Sequence, residues 1–328
     1  MAIRIKKDGT EQSGLVDDDV VQPFRLEKSN VRGRMVRLGP VLAEIMGKHD
    51  YPPPVSALLS EVLTLCLLLS SMLKYDGVFS LQIKGDGAIR TLVADVSSKG
   101  EVRAYAGFDA AAVKKLAKRK KDTDNHYYHL LGKGHMAFTV DAGGFEHSYQ
   151  GIVELKGSSI IDAAQHYFTQ SEQIKTSFRL AVHPQDGQWR TGGIMIQQMP
   201  EENAGKNVDD AGGGSGENEA DLEDWTRAVM LLSTCREGEL LSPVLASADV
   251  LYRLFHEDGV RIYSPTHIRF RCRCTRARVV EILRTIPRVE LEDICEKEGE
   301  VSIKCEFCSE DYMFKASDLD AVYKDKKS

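Results

Sequence analysis

The chain has 328 residues, 42% of them hydrophobic, and a formal net charge of −6. That length and apolar share support one large core plus a smaller unit, and the acidic balance argues against a surface given over to nucleic acid. No apolar run follows the lysines of MAIRIKKDGT, and the longest such run, VLTLCLLL at 62–69, falls short of the ~20 residues that cross a bilayer; a soluble, cytoplasmic protein with no membrane partner is expected, its seven cysteines kept reduced.

The fold class read from the pattern is α+β: an N-terminal mixed helix/sheet core domain (1–200), a helical linker (201–264) and a small C-terminal domain (265–328) whose Cys272, Cys274, Cys305 and Cys308 mark it as zinc-binding. In the first, a strand is expected at 31–38. PPP at 52–54 stops the chain and opens an apolar helix over about 55–73. Glu61 precedes its apolar run and Ser70 and Ser71 follow it, so burial is expected. Cys66 within it reads as a small buried hydrophobe. Strands at 78–84, 89–96 and 102–107, separated by Gly85-Asp86-Gly87 and a turn ending at Gly100, make a β-meander. The basic run KKLAKRKK at 114–121 reads as a solvated helix face. Further strands are expected at 135–140 and 149–155, a helix at about 159–171, and a hairpin of 175–182 with 193–199.

The character changes at 201–224, where nine acids face one base, Lys206, around AGGGSG. Such a segment cannot bury a core and is expected to be mobile. Beyond it Leu222, Trp225, Val229 and Leu232 recur at helical spacing, and a second helix at about 248–256 has Ser247 as its N-cap candidate. These helices need a surface to lie on.

In the last region a helix over 276–286 is expected to bury Val279, Ile282, Leu283 and Ile286 and to end at Pro287. Strands at 301–304 and 312–314 flank a turn, and Ser317 is expected to cap a final helix. About 60 residues with so few large apolar groups rarely fold unaided. Structural zinc would supply the deficit, with about 10–16 kcal/mol of apparent binding energy.

The candidate ligands are Cys272 and Cys274, a Cys-x-Cys pair, and Cys305 and Cys308, a Cys-x-x-Cys pair. Together they complete one four-sulfur shell of the kind zinc prefers. Alternate residues on an extended stretch point the same way, so Cys272 and Cys274 can share an ion. The same sulfurs, paired within each motif, can also form two disulfides. A Cys272–Cys274 bond requires a bend and carries strain, which makes it easily reduced. Arg269, Arg271, Arg273 and Lys304, close by in sequence, offset a tetrathiolate's charge and favour ionised thiols. Spacing alone leaves a purely structural zinc ribbon and a redox switch both open.

The runner-up is an Arg-rich zinc-ribbon nucleic-acid-binding protein, since 269–288 carries seven arginines against Glu281 alone; it lacks a recognised finger spacing. A thioredoxin-like oxidoreductase would run from its Cys-x-x-Cys into a helix, whereas Cys305 and Cys308 sit between strands. No triad, phosphate loop or paired carboxylates are found, so neither catalytic residues nor an organic cofactor is expected, and the protein is not read as an enzyme. His49, His126 and His256 read as ordinary polar groups, and Cys235 and Cys295 stand alone.

The ordered motifs His49-Asp50-Tyr51-Pro52, Lys74-Tyr75-Asp76-Gly77, Gly85-Asp86-Gly87 and Tyr149-Gln150-Gly151 continue through Tyr167-Phe168, Ser171-Glu172-Gln173, Gly192-Gly193, Met199-Pro200 and Leu251-Tyr252-Arg253-Leu254. They end in Phe270-x-Cys272-x-Cys274 and Cys305-x-x-Cys308. This pattern resembles the heat shock protein 33 family of redox-regulated chaperones over most of the chain. The resemblance implies an ATP-independent holdase, inactive when reduced and bound to one Zn2+ through Cys272, Cys274, Cys305 and Cys308. It implies that oxidation forms Cys272–Cys274 and Cys305–Cys308 disulfides, expels zinc, and unfolds the C-terminal unit and a metastable linker around Trp225 and Leu232. Unfolding client proteins then bind, and the oxidised form is a homodimer.

Overall fold

Eighteen residues, Pro53–Ser70, form the helix around which most of the chain is arranged. Pro53 and Pro54 open it, where a missing N–H costs nothing because no carbonyl is available to it. The computed structural model describes residues 3–4, 18–117, 128–141, 149–185, 187–199 and 219–324. The AGGGSG stretch, His126 and residues 118–121 of the basic run lie outside them. The helix is apolar on every side and nearly all of it is buried, as a core helix must be. By length and composition it could cross a membrane, but 83% of it is buried inside the fold. The uninterrupted apolar run within it, 62–69, is much shorter than the helix. Ser60 and Thr64 interrupt it at little polar cost, because each hydroxyl donates to the carbonyl four residues earlier, Ser56 at 2.7 Å and Ser60 at 2.8 Å.

Two sheets enclose this helix. In the six-stranded sheet the meander Val78–Gly85, Ile89–Ser97 and Glu101–Phe108 is extended by Gly134–Asp141 and Tyr149–Glu154 on one side. The short strand Arg269–Phe270 joins its other edge in parallel. In the seven-stranded sheet Val20–Leu26, Val31–Leu38, Gln188–Gln198 and Thr176–Gln185 lie in that order. Val260–Ile262 and Thr266–His267 both pair with Val20–Leu26. Sequence patterning did not mark Val20–Leu26 as a strand because Pro23 and Arg25 argue against one. The Thr64 and Thr191 hydroxyls, 2.7 Å apart, join the core helix to the seven-stranded sheet, and the Cys66 thiol reaches the Ala94 carbonyl of the other sheet at 3.3 Å.

The seven-stranded sheet is apolar on both faces. Val36 and Met195 point into the core around the helix, whereas Phe24, Met35, Ile194 and Ile196 point away from it. That outer face is covered by the helices Glu219–Ser233, Glu237–Leu241 and Ser247–Phe255, which press Ala228, Leu232, Leu240, Leu251 and Phe255 onto it. Phe24 stacks on Phe255 with ring centroids 5.9 Å apart. The Phe24 ring also fills the space where a side chain on Gly33 would stand.

Three arginines on the sheet clamp the covering helices by their main chain. Arg37, 1% exposed, donates to the carbonyls of Leu245 and Glu239. Arg190 donates to the carbonyl of Leu241, and Arg179 to that of Cys235. Two details differ from the sequence reading. Leu222 is 46% exposed and does not join the buried stripe. Ser247 is the first helical residue rather than the cap, a position held by Ala246.

The chain divides into two units: Met1–Met46 with Asp50–Phe270, and Gly47–His49 with Arg271–Ser328. The helices read as linker fall in the first. The second holds the helices Arg276–Leu283, Arg288–Glu298 and Ala316–Lys324 and the hairpin of Val301–Lys304 with Asp311–Phe314. Its core is small: Val279, Leu283, Leu291, Cys295, Val301, Phe314, Leu319 and Val322. The first helix ends at Leu283, and Ile282 is 57% exposed rather than buried. Pro287 does not merely stop that helix; it occupies the N-cap of Arg288–Glu298. Ser317 lies inside the last helix, and the carboxylate of Asp318 accepts the Lys315 N–H at its start.

Candidate metal centre

Two local structures present the four thiols. Cys272 and Cys274 lie on an extended segment that ends where Thr275 caps the helix Arg276–Leu283, its hydroxyl accepting the Arg278 N–H at 3.2 Å. Cys305 and Cys308 occupy the hairpin turn. There the Cys305 N–H donates to Glu310 and the Ser309 N–H donates back to Cys305. Ser309 adopts a left-handed φ of 59°, which closes the turn and brings both sulfurs to one side.

All four sulfurs lie within 4.8 Å of one another, and each cysteine is half-buried. Two pairs that cross between motifs are close: Cys272 to Cys305 at 3.7 Å and Cys274 to Cys308 at 3.3 Å. Four Zn–S bonds of about 2.3 Å in a tetrahedron would separate the sulfurs by about 3.8 Å. The cluster can therefore hold a metal ion, and its all-sulfur donor set suits a soft or borderline one. Cys66, Cys235 and Cys295 are buried elsewhere and free.

The surroundings favour the ionised form at one edge of the cluster. Burial pushes the Cys272 thiol up, but the Cys274 backbone N–H and the neighbouring sulfurs outweigh it and bring it down to about 7. Burial holds Cys274 and Cys308 above the ordinary thiol range. One residue that sequence reasoning missed belongs here. The Tyr312 hydroxyl, from the hairpin strand beyond the turn, donates to Cys274 Sγ at 3.2 Å.

The arginines of this unit are largely engaged within it. Arg276 donates to the Met313 carbonyl and lies over the Phe314 ring, 4.1 Å from its centroid. Arg278 donates to Arg273, Arg284 to Val322, and Arg288 pairs with Glu292 and Asp320. Four of the seven arginines of 269–288 are thus held by carbonyls, carboxylates and a ring of their own unit.

The model of the family described as Hsp33 protein matches residues 19–315. The chain belongs to the Hsp33 family. The 33 kDa chaperonin of Caulobacter vibrioides is 36% identical over 303 residues, covering 90% of this chain and 94% of the relative. That of Azotobacter vinelandii is 35% identical, covering 94% and 95%. The crystal structure of the Thermotoga maritima 33 kDa chaperonin superposes with a TM-score of 0.75 at 23% identity, covering 93% of this chain and 98% of that one. It shares the mixed helix and sheet fold. Hsp33 proteins are chaperones rather than enzymes, and membership implies that unfolded proteins are bound.

Proposed function

We propose that the protein is a redox-regulated, ATP-independent holdase, silent when reduced with Zn2+ on Cys272, Cys274, Cys305 and Cys308. The observation that carries this reading is the convergence of four half-buried thiols, from two separate local structures, in a unit with a small core. Zinc, when bound, supplies the cross-link between the extended segment and the hairpin turn that this core is too small to provide.

Oxidation joins Cys272 to Cys274 and Cys305 to Cys308. Each disulfide forms as two thiols surrender two electrons and two protons; with hydrogen peroxide, one peroxide becomes two waters per bond. Pairing within motifs uses up the sulfurs that a shared metal ion would bridge between the two local structures. The segment and the turn then lose their connection, and the unit loses its fold. The covering helices around Trp225 and Leu232 loosen with it and uncover the apolar face built from Phe24, Met35, Ile194 and Ile196. Unfolding clients bind that surface, and the active form is a homodimer.

The test follows zinc release, thiol state and suppression of a client's aggregation in one sample during oxidation, without ATP. All three should change together. Full suppression by the reduced, zinc-loaded protein, or complete zinc release with none, would overturn the reading.

A further inference from the structure

The first unit contains a cavity of about 520 Å3 that no part of the cysteine switch uses. It lies between the C-terminal end of the core helix, the strands Val78–Gly85 and Gly134–Asp141, and the turn Phe168–Glu172. Small-molecule sites span roughly 300–1,000 Å3 and are mostly apolar with a few polar groups. This one follows that pattern: Met72, Phe79, Phe138, Val140, Phe168 and Ile174 form much of its wall.

Its polar groups are unequally occupied. Glu172 accepts the Tyr167 hydroxyl at 2.7 Å, and Asp76 accepts that of Ser98 at 3.2 Å. The two cations on the lining are less satisfied. Arg32 Nε is buried without a hydrogen-bond partner, and its guanidinium is held by a 3.3 Å contact from Nη2 to Gln197. Lys74, exposed at the rim, forms no ion pair among the described residues. Burial also depresses the Arg32 pKa, a sign that the charge there lacks compensation. An apolar cavity whose lining carries two under-paired cations, Arg32 and Lys74, calls for an anion that arrives attached to an apolar body.

We propose that this cavity binds a small amphipathic carboxylate, such as a medium-chain fatty acid, with its chain against the apolar wall and its carboxylate on Arg32 and Lys74. An ester or the acyl chain of an intact lipid offers the same tail without the charge, so the charge is what the site selects. The inference does not depend on the redox reading and applies to the reduced protein.

Calorimetric titration of the reduced full-length chain with decanoate, below its micellar concentration, should give saturable 1:1 binding. Methyl decanoate should bind at least about tenfold more weakly, the usual worth of a charge-assisted hydrogen bond. Arg32→Met should weaken decanoate by a similar factor and leave the ester unchanged. Lys74→Met, at an exposed position, carries the same comparison if the Arg32 variant does not fold. A decanoate analogue bearing a terminal diazirine should label residues 69–79 or 167–174 of the unmodified protein. Equal affinity for acid and ester, absence of saturable binding, or labelling elsewhere would overturn the proposal. So would displacement of decanoate by an equally apolar, uncharged pentapeptide at lower concentration, which would assign the cavity to polypeptide.

Discussion

At the scale of single residues, the Tyr312 hydroxyl is a partner whose removal can be tested. Its hydrogen bond draws electron density from Cys274 Sγ and fixes that sulfur's direction. Tyr312→Phe should keep the fold and weaken zinc retention by on the order of tenfold, read by competition with a chromophoric chelator. Unchanged retention would reduce Tyr312 to packing. Cys305→Ser should be more severe and abolish high-affinity binding, since three thiolates leave the shell open; a cobalt charge-transfer spectrum would show the loss. The four cysteines were legible in the sequence because thiol identity and short spacing carry their chemistry. Tyr312 was not, because it stands 38 residues from Cys274, on a different local structure that meets it only in the folded unit.

At the scale of elements, the core helix carries a titratable weakness. Burial lifts the Glu61 carboxyl from 4.5 to about 7. A folded-state value above the unfolded one means that folding takes up a proton. The associated stability is therefore complete below about pH 4.5 and is lost as the pH rises through 7. Glu61→Gln escapes that loss, so its stabilising effect in urea denaturation should be about 2 kcal/mol larger at pH 8 than at pH 5. A pH-independent effect would contradict it. The sheet under the covering helices has its own sensitive point. Gly33→Ala would push the Phe24 ring off its place against Phe255, costing about 1–3 kcal/mol at that contact. The reduced variant should suppress client aggregation without oxidant; a silent variant of normal stability would show that this contact does not restrain the helices. Long, strongly patterned elements such as the core helix and the meander were legible in advance. The helix Arg288–Glu298 was not, because it buries only Leu291 and Cys295 and so shows no apolar stripe. The exposure of Ile282 was missed because a single apolar side chain on a short helix does not say which way it faces.

At the scale of the whole molecule, the two units differ in what supports them. The first has a large core on both sides of a fully packed helix, and the second has, among the described residues, eight buried side chains and a four-cysteine cluster that could hold a metal ion. Hydrogen exchange after complete oxidation should show protection lost across 222–324 and retained across 20–198. Retained protection in 271–324 would leave a structural zinc unit in place of a switch. The four-cysteine centre could be anticipated, whereas the arginine clamp could not, since nothing in a sequence announces which carbonyl a distant guanidinium will find. Arg37, Arg179 and Arg190 hold the covering helices by main-chain oxygens, which every residue type supplies alike. Side-chain substitutions along those helices leave these anchors in place, whereas the buried contacts of Ala228, Leu232, Leu240, Leu251 and Phe255 remain sensitive to them. On the exposed side of that segment Met230 and Val244 already stand in solvent, so a substitution there touches neither the arginine clamp nor the buried face.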